Sequence, residues 1–181
     1  ARVFLEKLKK NGCNHLLLSG SFFEAGEGGN SVAFTPYGLS KSLSYQIFLF
    51  YAESLSIKLG KFIIPNPFGP YEEYRYTSYL IDCWRQKKIP LIKTPGYVRD
   101  NVPIDALAKS YADYACWLAK EKSPQIFRPS GFIETQLSFT ERFARQIGKR
   151  VSYPCPIAIE KNPQYTEPME LKNQHPILED W

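Results

Sequence analysis

The sequence of 181 residues is poor in the side chains that most often announce a chemistry, with one methionine, two histidines and four cysteines. Cys13, Cys83, Cys116 and Cys155 stand far apart, with no CxxC pair and no ligand spacing, which removes zinc ribbons and disulfide scaffolds from consideration. The expectation is reduced, mostly buried thiols in a cytoplasmic protein. His15 precedes an apolar run and His175 lies in a polar tail, so no His, Asp and Cys nucleophile set can be assembled and no metal is expected. No run reaches the ~18 to 20 apolar residues of a membrane span, and no secretory signal opens the sequence, so no membrane partner is expected. The 23 basic and 18 acidic residues are scattered, without a basic block or glycine-aromatic motif, which argues against a nucleic-acid partner. Repeats and low-complexity segments are also lacking.

What the sequence does have is apolar mass, 44% hydrophobic and 15% aromatic, enough for one substantial core. Its most informative stretch is Thr35-Pro36-Tyr37-Gly38-Leu39-Ser40-Lys41. Thr35 suits an N-cap and Pro36 the first helical position, where no backbone donor is needed. Leu43, Ile47, Phe50, Ser54 and Leu55 follow a period near 3.6, with Gly60 as the expected stop. Tyr37 and Lys41 then lie one turn apart on one face. A free phenol, with a pKa of about 10, is a poor proton donor or acceptor near neutrality, and a neighbouring ammonium favours the phenolate. A tyrosine and lysine at this spacing also occur by chance on many helices, so the flanking residues decide.

Upstream, His15-Leu16-Leu17-Leu18 reads as a buried strand opening into the small-residue loop Ser19-Gly20-Ser21-Phe22-Phe23-Glu24-Ala25-Gly26. Downstream, Phe62-Ile63-Ile64 is a second strand, opening into Pro65-Asn66-Pro67-Phe68-Gly69-Pro70. The ordered set of strand, serine loop, Tyr-x-x-x-Lys helix, strand and Asn-x-x-Gly-Pro loop resembles the extended short-chain dehydrogenase/reductases, the family of sugar-nucleotide epimerases, dehydratases and 4-keto reductases. The resemblance runs from about Ser19 to Ile147.

The resemblance implies a catalytic set of Ser21, Tyr37 and Lys41, with Ser19, Tyr37, Lys41 and Pro65 facing an NAD or NADP cofactor. It implies contacts to a sugar-nucleotide substrate from Ser21, Asn66 and Arg99, the last gripping the diphosphate with its planar fork. Arg75 reads equally well as a phosphate ligand or as a solvated arginine at a helix start. Where the family's 4,6-dehydratases carry an Asp-Glu pair, Phe22 and Phe23 stand here; neither transfers protons, which leaves reductase or 4-epimerase chemistry. Glu24 beside an aromatic pair resembles the 4-keto reductases that make deoxysugar nucleotides.

Three further helices are expected: Tyr71 to Lys88, one through Ala108, Tyr111, Ala112, Ala115 and Leu118 capped by Asp105, and Leu137 to Ile147. Residues 1 to 12 read as an amphipathic helix, Leu91-Ile92-Lys93-Thr94 as a strand, and Tyr153, Cys155 and Ile157 as a short strand. The family's Gly-x-x-Gly-x-x-Gly turn, whose helix receives the cofactor pyrophosphate, has no counterpart; Gly26-Glu27-Gly28-Gly29 follows the serine and reads as a flexible loop. The sequence therefore resembles the later part of a longer enzyme. The expected fold is α/β, the C-terminal part of a Rossmann-type parallel sheet with a small α/β substrate-binding lobe. Residues 1–66 and 99–124 would form the core, and 67–98 and 125–181 the lobe. The expected function is NAD(P)-dependent reduction of a 4-keto-6-deoxy sugar nucleotide in deoxysugar biosynthesis, by a cytoplasmic protein that is a homodimer at full length. The alternatives are a 4-epimerase with the same catalytic set, or a truncated, non-catalytic remnant unable to hold a dinucleotide.

Overall fold

The computed structural model describes residues 1–120, 125–151 and 153–178. The expected domain limits at residues 124 and 181 fall outside them. In chain order the elements are α1 (Arg2–Lys10), β1 (His15–Ser21), α2 (Pro36–Ser54), β2 (Lys58–Ile64), β3 (Asn66–Phe68), α3 (Tyr76–Arg85) and β4 (Leu91–Ile92). There follow β5 (Val98–Pro103), α4 (Ile104–Lys120), β6 (Ile126–Phe127), β7 (Pro129–Ser130), β8 (Phe132–Thr135), α5 (Gln136–Val151), β9 (Ala158–Ile159), β10 (Glu170–Leu171) and β11 (His175–Pro176). The architecture is α/β with parallel sheets. Among the described residues no helix is long and apolar enough to cross a membrane.

The central sheet has the order β1-β2-β6, all parallel, with β1 and β2 paired from His15 opposite Lys58 to Ser21 opposite Ile64. A second sheet has the order β10-β5-β3, with β8 antiparallel to β5, and the pairs β7-β11 and β4-β9 complete the strands. Ile126 and Phe127, expected in the lobe, instead pair with Lys61 and Phe62 in the central sheet, so the core reclaims the chain after α4. The short strand expected around Cys155 falls later, at Ala158–Ile159, where it pairs with β4.

Parallel strands are covered on both faces and are therefore nearly continuous in apolar residues. On one face of the central sheet α1 and α2 enclose Leu5, Ala52, Ile57 and Leu59. On the other, Phe62 packs with Val102, Leu107 and Tyr114 of β5 and α4. Burying an aromatic side chain as fully as Phe62 stabilises by roughly 2 to 3 kcal/mol.

α2 begins as its sequence predicts, with Pro36 in the first turn and the Thr35 hydroxyl accepting from Gly38 N at 3.0 Å. It ends earlier than expected. Ser56 adopts a left-handed φ of 51°, while Ser56 N bonds Glu53 O and Ile57 N bonds Ala52 O, the paired closure of a Schellman motif. Gly60 is thus not the helix stop. It lies inside β2, where a Cβ would meet Leu118 Cδ2 of α4 at 2.6 Å, so its lack of a side chain sets the approach of α4 to the sheet. The periodic row Leu43, Ile47 and Phe50 also departs from expectation: it faces outward, Phe50 being 67% exposed, while Tyr45, Phe48, Leu49 and Ala52 pack inward. Asp105 sits inside the first turn of α4 rather than ahead of it, accepting from Ala106 N at 2.9 Å.

Candidate active site

In open α/β sheets ligands bind beyond the carboxyl ends of the strands. Here that edge carries Ser21, the last residue of β1, with Pro65 and Asn66 immediately after β2. Phe22 N continues the pairing, donating to Ile64 O at 3.3 Å. The loop after Ser21 folds under the first turn of α2. A Cβ on Gly38 would lie 2.1 Å from the Phe23 carbonyl oxygen, so the helix comes this close only because residue 38 is glycine. Ala25 N donates to Ser42 Oγ at 3.0 Å, and that hydroxyl donates to Gly38 O at 3.0 Å. Tyr37, 53% exposed, stands edge-on to Phe23 with ring centroids 6.3 Å apart.

Lys41 turns inward. Its Nζ donates to the Ser19 carbonyl at 2.7 Å, and Ser19 Oγ shares a 3.3 Å hydrogen bond with the Tyr111 hydroxyl of α4. Ser21 is buried; its Oγ accepts from Phe23 N at 3.3 Å, which leaves its proton available to another acceptor. Ser19, Ser21, Pro65 and Asn66 therefore lie toward one end of the central sheet, where Lys41 reaches Ser19, while Tyr37 stands against Phe23 of the loop that follows Ser21. Asn66 reaches from there to β5, its Nδ2 donating to Asn101 Oδ1 at 2.7 Å.

The two arginines lie apart from this group. Arg99 is held by its own chain: its guanidinium donates to Val98 O, Pro168 O and Met169 O, pairs with Glu167 at 2.9 Å and lies 4.1 Å from the centroid of the Tyr97 ring. Burial lowers its pKa from the ordinary guanidinium value, against the raising effect of Glu167. Arg75 is exposed at the N-cap of α3 and makes no side-chain capping bond.

Behind Ser21 lies a set of ions that the sequence reading missed. Lys61 Nζ sits 2.6 Å from Glu24 Oε2 and 3.6 Å from Glu27 Oε1, and Arg128 Nε donates to Glu27 Oε2 at 2.6 Å. Glu24 is 0% exposed, Lys61 and Glu27 4% each. The second oxygen of Glu24 accepts from Ser21 N at 2.7 Å. The loop around Glu27, expected to be flexible, is packed instead: Gly26 N bonds Asn30 O, Asn30 N bonds Glu27 O, and a Cβ on Gly28 would lie 2.4 Å from Phe22 O. One signal was available. A lysine between Gly60 and Phe62-Ile63-Ile64 in a strand buried on both faces must have a carboxylate partner.

No protein-family model and no curated protein matches the chain. Solved structures do. A UDP-N-acetylglucosamine 4-epimerase from Methanobrevibacter ruminantium M1, in complex with UDP-N-acetylmuramic acid, superposes with a TM-score of 0.72 at 15% identity, over 96% of this chain and 58% of that one. The UDP-glucuronic acid 4-epimerase from Bacillus cereus, in complex with UDP-glucuronic acid and NAD, gives 0.71 at 15% identity, over 94% and 55%. The UDP-glucose 4-epimerase from Thermotoga maritima with UDP-glucose gives 0.66 at 18% identity, over 90% and 55%. The chain thus spans a little over half the length of these enzymes. The likeness is one of architecture: over that span the chain shares the fold of these 4-epimerases.

Proposed function

We propose that the protein is an NAD(P)-dependent oxidoreductase acting on a sugar nucleotide, reducing a 4-keto-6-deoxy sugar. The observation that supports this reading is the inward turn of Lys41, one helical turn after Tyr37 on α2, onto the Ser19 carbonyl of the strand that ends at Ser21. The donor set suits the nicotinamide half of a dinucleotide: the Lys41 ammonium has hydrogens left for ribose hydroxyls, and Ser19 and Pro65 border the same edge. NAD or NADP bound there would supply or accept the hydride. Tyr37 Oη passes its proton to the sugar oxygen as the carbonyl becomes an alcohol, and Ser21 Oγ holds that oxygen in place by donating to it. Asn66, and Arg75 or Arg99, serve the nucleotide; for Arg99 this requires the diphosphate to replace Glu167 as its partner.

Epimerisation at C4 is the second reading, favoured by the 4-epimerases among the similar structures and served by the same three residues. A non-catalytic remnant is the third. The outward row of Leu39, Leu43, Ile47 and Phe50 supports a homodimer, which would sediment at twice the chain mass.

With a 4-keto-6-deoxy sugar nucleotide, the native polypeptide carrying this sequence should consume NADH or NADPH stoichiometrically. Tyr37→Phe should lower kcat by ~10²- to 10⁴-fold. Interconversion of 4-epimers without net consumption would replace the first reading by the second. Undetectable NAD(P)H binding by the native polypeptide would overturn both.

A further inference from the structure

Of the ions behind Ser21, Glu24 touches the serine directly and Lys61 meets Glu24. We propose that Glu24 and Lys61 are positioning residues that aim Ser21 at the sugar oxygen, an assignment that rests on the reading of Ser21 given above. Ser21 is the last residue of β1, and its hydroxyl could take several directions unless the backbone there is fixed. Glu24 fixes it: one carboxylate oxygen accepts from Ser21 N at 2.7 Å and the other meets Lys61 Nζ at 2.6 Å. Lys61 is a firm anchor because it belongs to the middle of β2, its neighbours Gly60 and Phe62 are buried, and its ammonium lies 4.3 Å from the centroid of the Tyr45 ring. Glu27, held in turn by Arg128, steadies the same ammonium from a second side at 3.6 Å.

The pair is poorly explained as a device for stability alone. Buried ion pairs commonly add no more stability than well-packed apolar residues of the same volume. What they supply is direction, because a carboxylate presents two acceptors in fixed geometry and can hold an amide and an ammonium at once. The packing makes room for this arrangement. A Cβ on Gly20 would fall 2.8 Å from Glu24 Oε1, 2.8 Å from Lys61 Cε and 2.6 Å from Ile63 Cδ1, so residue 20 is bare where the pair passes. With the Ser21 amide taken by Glu24 and one lone pair of its Oγ accepting from Phe23 N, the hydroxyl keeps its proton and a second lone pair for a ligand. Neither Glu24 nor Lys61 meets the sugar; both act through Ser21.

Glu24→Gln in the native polypeptide tests this, since glutamine keeps an oxygen for Ser21 N and nearly the same volume, while Lys61 retains Glu27. The expected result is a fall in kcat of at least ~10-fold with KM for the keto sugar changed less than about 2-fold. The Ser21 amide proton should also move upfield in a nitrogen-correlated NMR spectrum, a change that loss of general stability does not produce. Gly20→Ala, which crowds the pair without altering the serine, should give the same split between kcat and KM. An unchanged kcat with a shifted Ser21 amide would overturn the proposal, and so would an unmoved Ser21 amide in Glu24→Gln. A wild-type protein that turns over no sugar nucleotide fails in a different place: it removes the reading of the site, while the Ser21 amide still reports whether Glu24 holds the serine.

Discussion

Replacing Lys61 by methionine keeps most of the apolar stem that β2 buries and deletes only the ammonium, so the change isolates the charge. The Glu24 carboxylate, 0% exposed, would be left with Ser21 N as its sole donor among the described residues, because its other contact there is Lys61. Glu27 would lose less, since Arg128 still grips it through two nitrogens at 2.6 and 3.2 Å. Removing one partner of a buried pair costs about 3 to 5 kcal/mol, whereas an exposed pair such as Arg2 and Glu6 is screened by water and contributes little. The double variant Lys61→Met with Glu24→Gln carries no stranded charge at this position and keeps the bond to Ser21 N. It should recover about 2 kcal/mol relative to Lys61→Met alone. Urea unfolding followed by circular dichroism measures both, at constant m-value. A cost below about 1 kcal/mol for Lys61→Met, or additivity of the two changes within ~0.5 kcal/mol, would mean that water reaches the pair and that the reasoning fails.

Gly38→Ala should destabilise by about 3 kcal/mol and lower kcat by at least ~10²-fold, since the new methyl meets a backbone oxygen at 2.1 Å and must lift Tyr37 from the serine loop; thermal unfolding and single-turnover rates check the two effects. Alkaline pH probes the packing of α3. Burial pushes Tyr76 up to about 12 against the lowering effect of its hydrogen bond to Thr140. A phenol whose pKa is raised in the folded state contributes stability that is complete below the unfolded pKa of about 10 and is lost as pH climbs to about 12. The expected loss from Tyr76 is up to ~2 kcal/mol over that window, after discounting for partial exposure, read as a falling urea midpoint alongside rising phenolate absorbance; Tyr76→Phe should reduce the slope and leave the part due to Tyr114, which burial also pushes up to about 12.

The parts of the fold legible in the sequence were those encoded locally. Thr35-Pro36 marks a helix start through backbone chemistry that needs no distant partner, and the i, i+4 spacing of Tyr37 and Lys41 fixes their shared face once the helix exists. Periodicity, however, says that a helix has an apolar stripe without saying where the sheet is. α2 has apolar residues on two sides, and Tyr45, Phe48 and Leu49 took the core while Leu43, Ile47 and Phe50 did not. Gly60 read as a helix stop because a glycine bared for the close approach of Leu118 looks the same in sequence as one bared for a left-handed turn. The ions behind Ser21 were hidden for a third reason: Glu24 and Lys61 are 37 positions apart and meet only through the pairing of β1 with β2. Arg99, read from a motif, gave no sign that Glu167 and two carbonyls of the same irregular tail segment would engage it.

That tail has a temporal consequence. Residues 166 to 177 contribute none of the expected catalytic groups, yet Thr166 and Glu167 donate to the Tyr97 hydroxyl, Lys172 N to Gly28 O, Asn173 N to buried Asp100, and Asn173 Nδ2 to both Ile63 O and Pro129 O. A ribosome releases these residues more than a hundred positions after Ser21 and Tyr37, and chains generally fold from the amino end as they emerge. The growing polypeptide can therefore lay down its central strands early, but it cannot seal the glycine loop and Asp100 until Asn173 has left the exit tunnel.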